Sequence, residues 1–91
     1  MFKEIEAMIR GRVQLVMYRD FAQRRAKSLG IAGFAQNMPD GSVRVVAQGE
    51  EDNLKKYIEK LRKGPLLARV DSVDVVWRDA TKNFKSFDIV F

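Results

Sequence analysis

The sequence predicts an α+β domain in which two helices pack on one face of an antiparallel sheet. Polar and apolar residues alternate in several segments, which is the pattern of half-buried strands. In two other segments the apolar residues recur at helical spacing. The chain has 91 residues, of which 46% are apolar, so it can form one small core between two layers. We therefore expect a single domain over residues 1–91.

The first strand and the first helix are predicted by the N-terminal third of the chain. Residues 4–10 alternate between an apolar and a polar face, and Gly11 is expected to end this strand. Residues 18–29 carry an apolar stripe at helical spacing, and Gly30 follows as a stop signal. The stripe consists of Tyr18, Phe21, Ala22, Ala26 and Leu29.

A hairpin and a second helix follow. Residues 31–37 and 43–48 flank the segment Met-Pro-Asp-Gly at residues 38–41, which we interpret as turn chemistry only. The second helix is expected over residues 50–63, because acidic residues lie at its start and basic residues at its end, and Gly64-Pro65 stops it.

Two more strands complete the chain. Residues 72–78 alternate between apolar and polar side chains, and a short polar link over residues 79–83 leads to a last strand over residues 87–91. The element order is β-α-β-β-α-β with an extra C-terminal strand. This order predicts the ferredoxin-like arrangement.

The composition excludes several kinds of chemistry. The chain contains no histidine and no cysteine, so it cannot use a Ser-His or Cys-His nucleophile, form a disulfide or build a zinc site from the usual ligands. We expect no metal and no cofactor. The net charge of +5 favours anionic partners without naming one. Acidic residues near the N-terminus and the lack of a long apolar run predict a cytoplasmic protein without a membrane span.

The segment between the first strand and the first helix is predicted to bind a phosphate group. It places backbone amides and Arg19 where a strand gives way to a helix, and such sites bind anions without a metal. Asn37 ends the second strand. Because the two strands of a split β-α-β unit run in the same direction, their C-terminal ends lie at the same edge of the sheet. We therefore expect Arg19 and Asn37 to be neighbours.

The spacing of these residues resembles that of the acylphosphatase family over nearly the whole chain. The family signature is G-x-V-Q-G-V-x-[FY]-R, followed by an asparagine before an Asp-Gly turn. The positions that match this signature are Gly11, Val13, Gln14, Val16, Tyr18, Arg19, Asn37, Asp40 and Gly41. Further matches in register are Arg12, Ala26, Leu29, Gly30, Gly33, Ser42, Val43, Gly49, Gly64 and Pro65.

The resemblance implies an enzyme that hydrolyses small acyl phosphates to a carboxylate and orthophosphate without a metal. It implies that Arg19 clamps the phosphate, that Asn37 orients the attacking water, and that orthophosphate or sulfate binds at the same place. We expect a monomer that binds neither nucleic acid nor membranes. The phosphate-binding residues are then Gln14, Leu15, Val16, Met17, Tyr18 and Arg19.

The chemistry of these residue types agrees with those roles. The planar fork of Arg19 matches two phosphate oxygens, as a lysine cannot. The side-chain carbonyl of Asn37 accepts a hydrogen bond from water without removing a proton. An acyl phosphate expels a carboxylate of low pKa, so positioning and charge stabilisation suffice and no histidine is needed. An ordinary phosphate ester should be a poor substrate.

Two positions near the site carry further expectations. Leu15 stands where the family usually has glycine. If the backbone there is left-handed, leucine costs about 1 to 2 kcal/mol, and the alternative is a loop of different geometry. Phe91 is the last residue, and the resemblance implies that its carboxylate pairs with Arg19.

Two other functions share this element order. An RNA-recognition sheet needs aromatic residues on its third strand, and residues 42–48 contain none, which argues against RNA binding. A non-catalytic anion-binding or regulatory module that lost turnover through Leu15 is the remaining alternative.

Several of the singled-out residues also have structural explanations. Taken alone, Arg19 is more often a solvated surface residue, and Asn37 a residue that supports a turn. Tyr18 and Phe21 are expected in the core, and the side chain of Gln14 is expected to be structural. The basic residues expected on a solvated face of the second helix are Lys55, Lys56, Lys60, Arg62 and Lys63.

Overall fold

The computed structural model describes residues 1–80 and 82–91, and every predicted helix and strand is present there, with bounds that differ by at most three residues. Thr81, inside the predicted link, lies outside the described residues. Neither described helix has the length and apolarity to cross a membrane. The elements are β1 (Phe2–Arg12), α1 (Tyr18–Ser28), β2 (Ala32–Asn37), β3 (Val43–Glu50), α2 (Glu51–Lys63), β4 (Arg69–Arg78) and β5 (Phe87–Val90).

The five strands form one sheet in the order β4-β1-β3-β2-β5. Strand β1 is antiparallel to β3 and β4, and β2 is antiparallel to β3. The prediction of an antiparallel sheet is therefore confirmed for these four strands. Strand β5 is parallel to β2, so the complete sheet is mixed. The reason is the path of the chain, which leaves β4 at one edge and enters β5 at the opposite edge.

The prediction that Gly11 ends the first strand is wrong. Strand β1 continues to Arg12 and changes its register with β4 between Arg10 and Gly11. Gly11 has φ 132°, and a Cβ atom at this position would lie 2.1 Å from the Arg69 carbonyl oxygen. Only glycine permits this bulge against the neighbouring backbone, so the residue shapes the strand without stopping it.

Two buried tyrosines join the helices above the sheet. The Tyr18 hydroxyl on α1 donates a hydrogen bond of 2.6 Å to the Leu61 carbonyl on α2, and the Tyr57 hydroxyl on α2 donates one of 2.8 Å to the Ala22 carbonyl on α1. Burial raises the pKa of both Tyr18 and Tyr57 above the ordinary value. The predicted core positions Tyr18 and Phe21 are both buried. The beginning of α1 is thus fixed to the core.

The sheet face opposite the helices is covered in its centre. Val46 and Gln48, on the nominally polar face of β3, are 2% and 1% exposed. The segment before β5 contacts Gln48, whose side chain donates a hydrogen bond to the Lys82 carbonyl and accepts one of 3.3 Å from the Phe84 N–H. Gln48 also donates a hydrogen bond of 2.8 Å to the buried Glu4 carboxylate. This glutamine therefore fastens the segment that leads to β5.

We expect Gln48→Ala to lower the free energy of unfolding by about 2 to 3 kcal/mol, because it removes partners from a buried carboxylate and two main-chain groups. Urea unfolding followed by Trp77 fluorescence measures the change.

Gln36→Ala is the matched control, because the half-buried Gln36 side chain makes no hydrogen bond to the residues that the structure describes. We expect a change within about 0.5 kcal/mol. Equal losses in the two variants would contradict the role given to Gln48.

Candidate functional site

Arg19 and Asn37 lie together at one edge of the sheet, as the topology predicts. They line a pocket of about 310 Å³ where the C-terminal ends of β1 and β2 meet the start of α1. This volume is at the lower end of the range for small-molecule sites. Apolar side chains of Leu15, Met17 and Phe91 line the same pocket.

The loop between β1 and α1 has a backbone suited to anions. Leu15 has φ 62° and Met17 has φ 60°, so two left-handed residues flank Val16. Such alternation turns successive N–H groups toward one side and forms a concave anion-binding site. For any residue other than glycine, the left-handed conformation costs about 1 to 2 kcal/mol of folding free energy. The family's usual glycine position thus has the left-handed conformation here, although leucine occupies it.

The N–H groups of this loop are available to a ligand. Helix α1 begins at Tyr18, and the Phe21 N–H donates its hydrogen bond of 3.0 Å to the Met17 carbonyl. The N–H groups of residues 15–19 form no hydrogen bond to a residue in the described part of the chain. The positive end of α1 therefore faces the pocket with free donors.

The Gln14 side chain fixes this loop to the turn beside Asn37. Its Nε2 atom donates hydrogen bonds of 2.9 Å to the carbonyl oxygens of both Met38 and Ser42. The expected structural role of this side chain is confirmed. Since Met38 directly follows Asn37, the same two bonds place the loop amides relative to Asn37.

The turn that follows Asn37 is held by Asp40, as expected for turn chemistry. The Asp40 carboxylate accepts hydrogen bonds from the main-chain N–H and the hydroxyl of Ser42. These bonds hold the pKa of Asp40 below its usual value. The carboxylate is thus occupied by the turn.

The guanidinium of Arg19 is positioned by the C-terminal end of the chain. Its Nη1 atom donates a hydrogen bond of 3.2 Å to the Val90 carbonyl, and its Cζ atom lies 4.8 Å from the centre of the Phe91 ring. A guanidinium has five N–H donors, so most of them stay available for an anion. The chain end thus contacts Arg19 through a carbonyl and a ring. Among the described residues there is no ion pair between Arg19 and the Phe91 carboxylate, so the pairing expected from the resemblance is not observed.

Asn37 contributes an oxygen that has no partner. Its Oδ1 atom is buried and accepts no hydrogen bond from any residue that the structure describes. It is the one buried side-chain polar atom in that state among residues 1–80 and 82–91. An unpaired buried acceptor costs about 1 to 3 kcal/mol, so a water or ligand donor at this oxygen would be bound favourably.

The two helices carry the positive charge of the protein. Helices α1 and α2 contain nine basic and four acidic residues, whereas the rest of the chain contains eight of each. The net charge of +5 therefore belongs to the helical layer. The basic residues of α2 are exposed, as predicted for a solvated helix face.

Sequence reasoning missed three features of the site. The left-handed backbone of Met17 had no signal, because methionine rarely adopts it. The Val90 carbonyl and the Phe91 ring, which orient Arg19, depend on where β5 joins the sheet. If β5 ran antiparallel to β2, its C-terminal end would lie at the other end of the strands, away from Arg19.

Comparisons with known proteins agree with the fold and with the family resemblance. The family described as Acylphosphatase matches residues 5–89. The acylphosphatase of Thermus thermophilus is 51% identical over 71 residues, which cover 78% of this chain and 81% of the relative. That of Salinibacter ruber is 46% identical over 87 residues, or 96% and 92% of the two chains. The crystal structure of acylphosphatase from Bacillus subtilis superposes with a TM-score of 0.95 at 30% identity and covers both chains fully.

We expect Leu15→Gly to raise the free energy of unfolding by about 0.5 to 1 kcal/mol. Glycine avoids the left-handed penalty of about 1 to 2 kcal/mol, and its greater freedom in the unfolded chain offsets part of that gain. Urea unfolding measures the difference.

Leu66→Gly serves as the control, because Leu66 is 98% exposed and is not among the described residues with positive φ. There glycine should lower the free energy of unfolding by up to about 1 kcal/mol. Changes of the same sign in both variants would show that the left-handed backbone is not the cause.

Proposed function

The chain belongs to the acylphosphatase family, and we propose that it hydrolyses acyl phosphates in the pocket between the β1–α1 loop and the end of β2, without a metal ion. Arg19 and Asn37 are the catalytic residues of this proposal. The observation that carries it is the buried, unpaired Oδ1 of Asn37 in the same pocket as Arg19 and the free loop amides.

The phosphoryl group binds first in this scheme. The N–H groups of residues 15–19 surround its oxygens, and the Gln14 side chain keeps the loop in place. Arg19 donates two parallel hydrogen bonds to the same group, since its contacts with the chain end leave donors free. These donors also stabilise the charge that spreads over the three equatorial oxygens in the transition state.

The water is oriented by Asn37. Its Oδ1 accepts a hydrogen bond from the water, so that an oxygen lone pair points at phosphorus. The water oxygen forms a bond to phosphorus, and the bond between phosphorus and the carboxyl oxygen breaks. That oxygen leaves with the electron pair as a carboxylate, and a proton of the water passes to solvent. The products are the carboxylate and orthophosphate.

The leaving group explains why two polar side chains suffice. A carboxylate is a weak base and departs without protonation, whereas the alkoxide of a phosphate ester needs an acid. The described pocket residues offer an arginine, an asparagine and main-chain amides, while the Tyr18 hydroxyl is hydrogen-bonded to the Leu61 carbonyl and the Asp20 carboxylate forms an ion pair with Arg24. The proposed reaction is therefore selective for anhydride-like phosphates over esters.

We further propose that the protein is a cytoplasmic monomer and that orthophosphate or sulfate competes with the substrate. The lack of cysteine fits a reducing compartment. Both anions match the loop amides and Arg19 in charge and shape. Product inhibition by orthophosphate tests the competition, and the mass measured by light scattering tests the monomer.

We expect Arg19→Ala and Asn37→Ala each to lower kcat/KM for benzoyl phosphate by about 100-fold to 1,000-fold, because each removes one preorganised interaction with the reacting groups. The measurement is hydrolysis of benzoyl phosphate by the purified protein with EDTA present, with para-nitrophenyl phosphate as the ester control.

Lys27→Ala is the matched control, because it removes one positive charge from the exposed side of the same helix. It should change kcat/KM by less than about twofold. Full activity of both site variants, or activity that EDTA abolishes, would refute the proposed mechanism. Binding of orthophosphate by the wild type without any turnover would identify the non-catalytic module instead.

A further inference from the structure

We propose that Leu15, together with Met17 and Phe91, forms an apolar rim that binds the acyl group, so that the enzyme prefers acyl phosphates with extended apolar acyl chains. The inference rests on the proposed function and deepens it, because it names the substrate class of the same site.

The three side chains are exposed although they are large and apolar. The exposed fractions are 100% for Leu15, 69% for Met17 and 96% for Phe91, and all three line the pocket that contains Arg19 and Asn37. Single exposed apolar residues are normal on protein surfaces, but several around one cleft are typical of a binding site. A ligand that covers these side chains removes their apolar surface from water, which favours binding.

The pocket matches the two parts of an acyl phosphate. The free amides of residues 15–19, the Arg19 guanidinium and the Asn37 oxygen suit the charged phosphoryl group and its attacking water. A pocket of about 310 Å³ is larger than a phosphoryl group and its attacking water, so it also has room for the acyl group. Because the anion donors hold the phosphoryl group at the loop, the acyl group is left to contact the apolar side chains that line the same pocket.

Leu15 is the member of the rim that distinguishes this chain. The family signature has glycine at this position, and here leucine occupies the left-handed backbone with its side chain wholly in solvent. It packs against nothing in the folded protein, so burial in the core does not explain it. Contact with the acyl chain gives this strained, exposed leucine a role.

Straight-chain acyl phosphates isolate the effect. Acetyl, butyryl and hexanoyl phosphate release carboxylates of nearly equal basicity, so their chemical reactivity is similar and differences report binding of the chain. We expect kcat/KM for hexanoyl phosphate to exceed that for acetyl phosphate by about tenfold in the wild type, mostly through a lower KM.

Variants at Leu15 test whether its side chain causes the preference for longer acyl chains. Leu15→Ala keeps the Cβ atom and the left-handed backbone but removes the rest of the side chain, and Leu15→Asn replaces it by a polar group of similar size that tolerates this backbone. In both variants we expect the hexanoyl-to-acetyl ratio to fall to about twofold. Leu66→Ala, at a leucine that is 98% exposed and outside the pocket lining, should keep the wild-type ratio.

The outcomes separate the rim from the proposed function. Turnover of acetyl phosphate without any gain for the longer chains overturns the rim and leaves the function standing. The same holds if the gain is present but survives in both Leu15 variants. If the wild type hydrolyses none of the three compounds, the proposed function itself fails. Loss of the ratio in Leu66→Ala as well would show a general effect of surface leucines and would also overturn the rim.

Discussion

The two hydrogen bonds from the Gln14 side chain to the Met38 and Ser42 carbonyls are the constraint on which the site depends. The loop that they hold contains two left-handed residues without glycine, and such a backbone persists only when its surroundings over-determine it. The amide bridges the β1–α1 loop, which carries the anion donors, and the hairpin turn that directly follows Asn37. One glutamine thereby joins the two connections into a single framework.

The hydrophobic core and the candidate site are adjacent at the start of α1. Tyr18 is the first residue of α1, and its hydroxyl is anchored to α2 in the core, while its neighbour Arg19 faces the pocket. The free amides lie in the loop before α1 and in its first turn, and the helix behind them packs its buried side chains into the core. The loop is strained, but the elements on both sides of it are rigid, which is what preorganised catalysis requires.

The sequence predicted the element order and the meeting of Arg19 and Asn37, because periodicity and the direction of the first two strands decide both. It did not predict that β5 runs parallel to β2 or that Gln48 is buried, since both depend on the path of the chain over the sheet. The positive φ of Met17 was also not predictable, because only glycine or asparagine at a position indicates a left-handed backbone. Local pattern therefore identified the side chains of the candidate site, and the tertiary structure determines how they are held.

The uneven charge of the two layers has a consequence for how substrates arrive. All of the net charge of +5 lies on the helical layer, and the pocket opens at the start of α1. A doubly charged phosphate approaching from solvent therefore feels an attractive field that guides it toward this side of the molecule before any contact forms. The rate of encounter then depends on the charge of the whole helical surface. Dissolved salt slows the capture of dilute substrate, because it shortens the reach of that field to about 8 Å at physiological ionic strength.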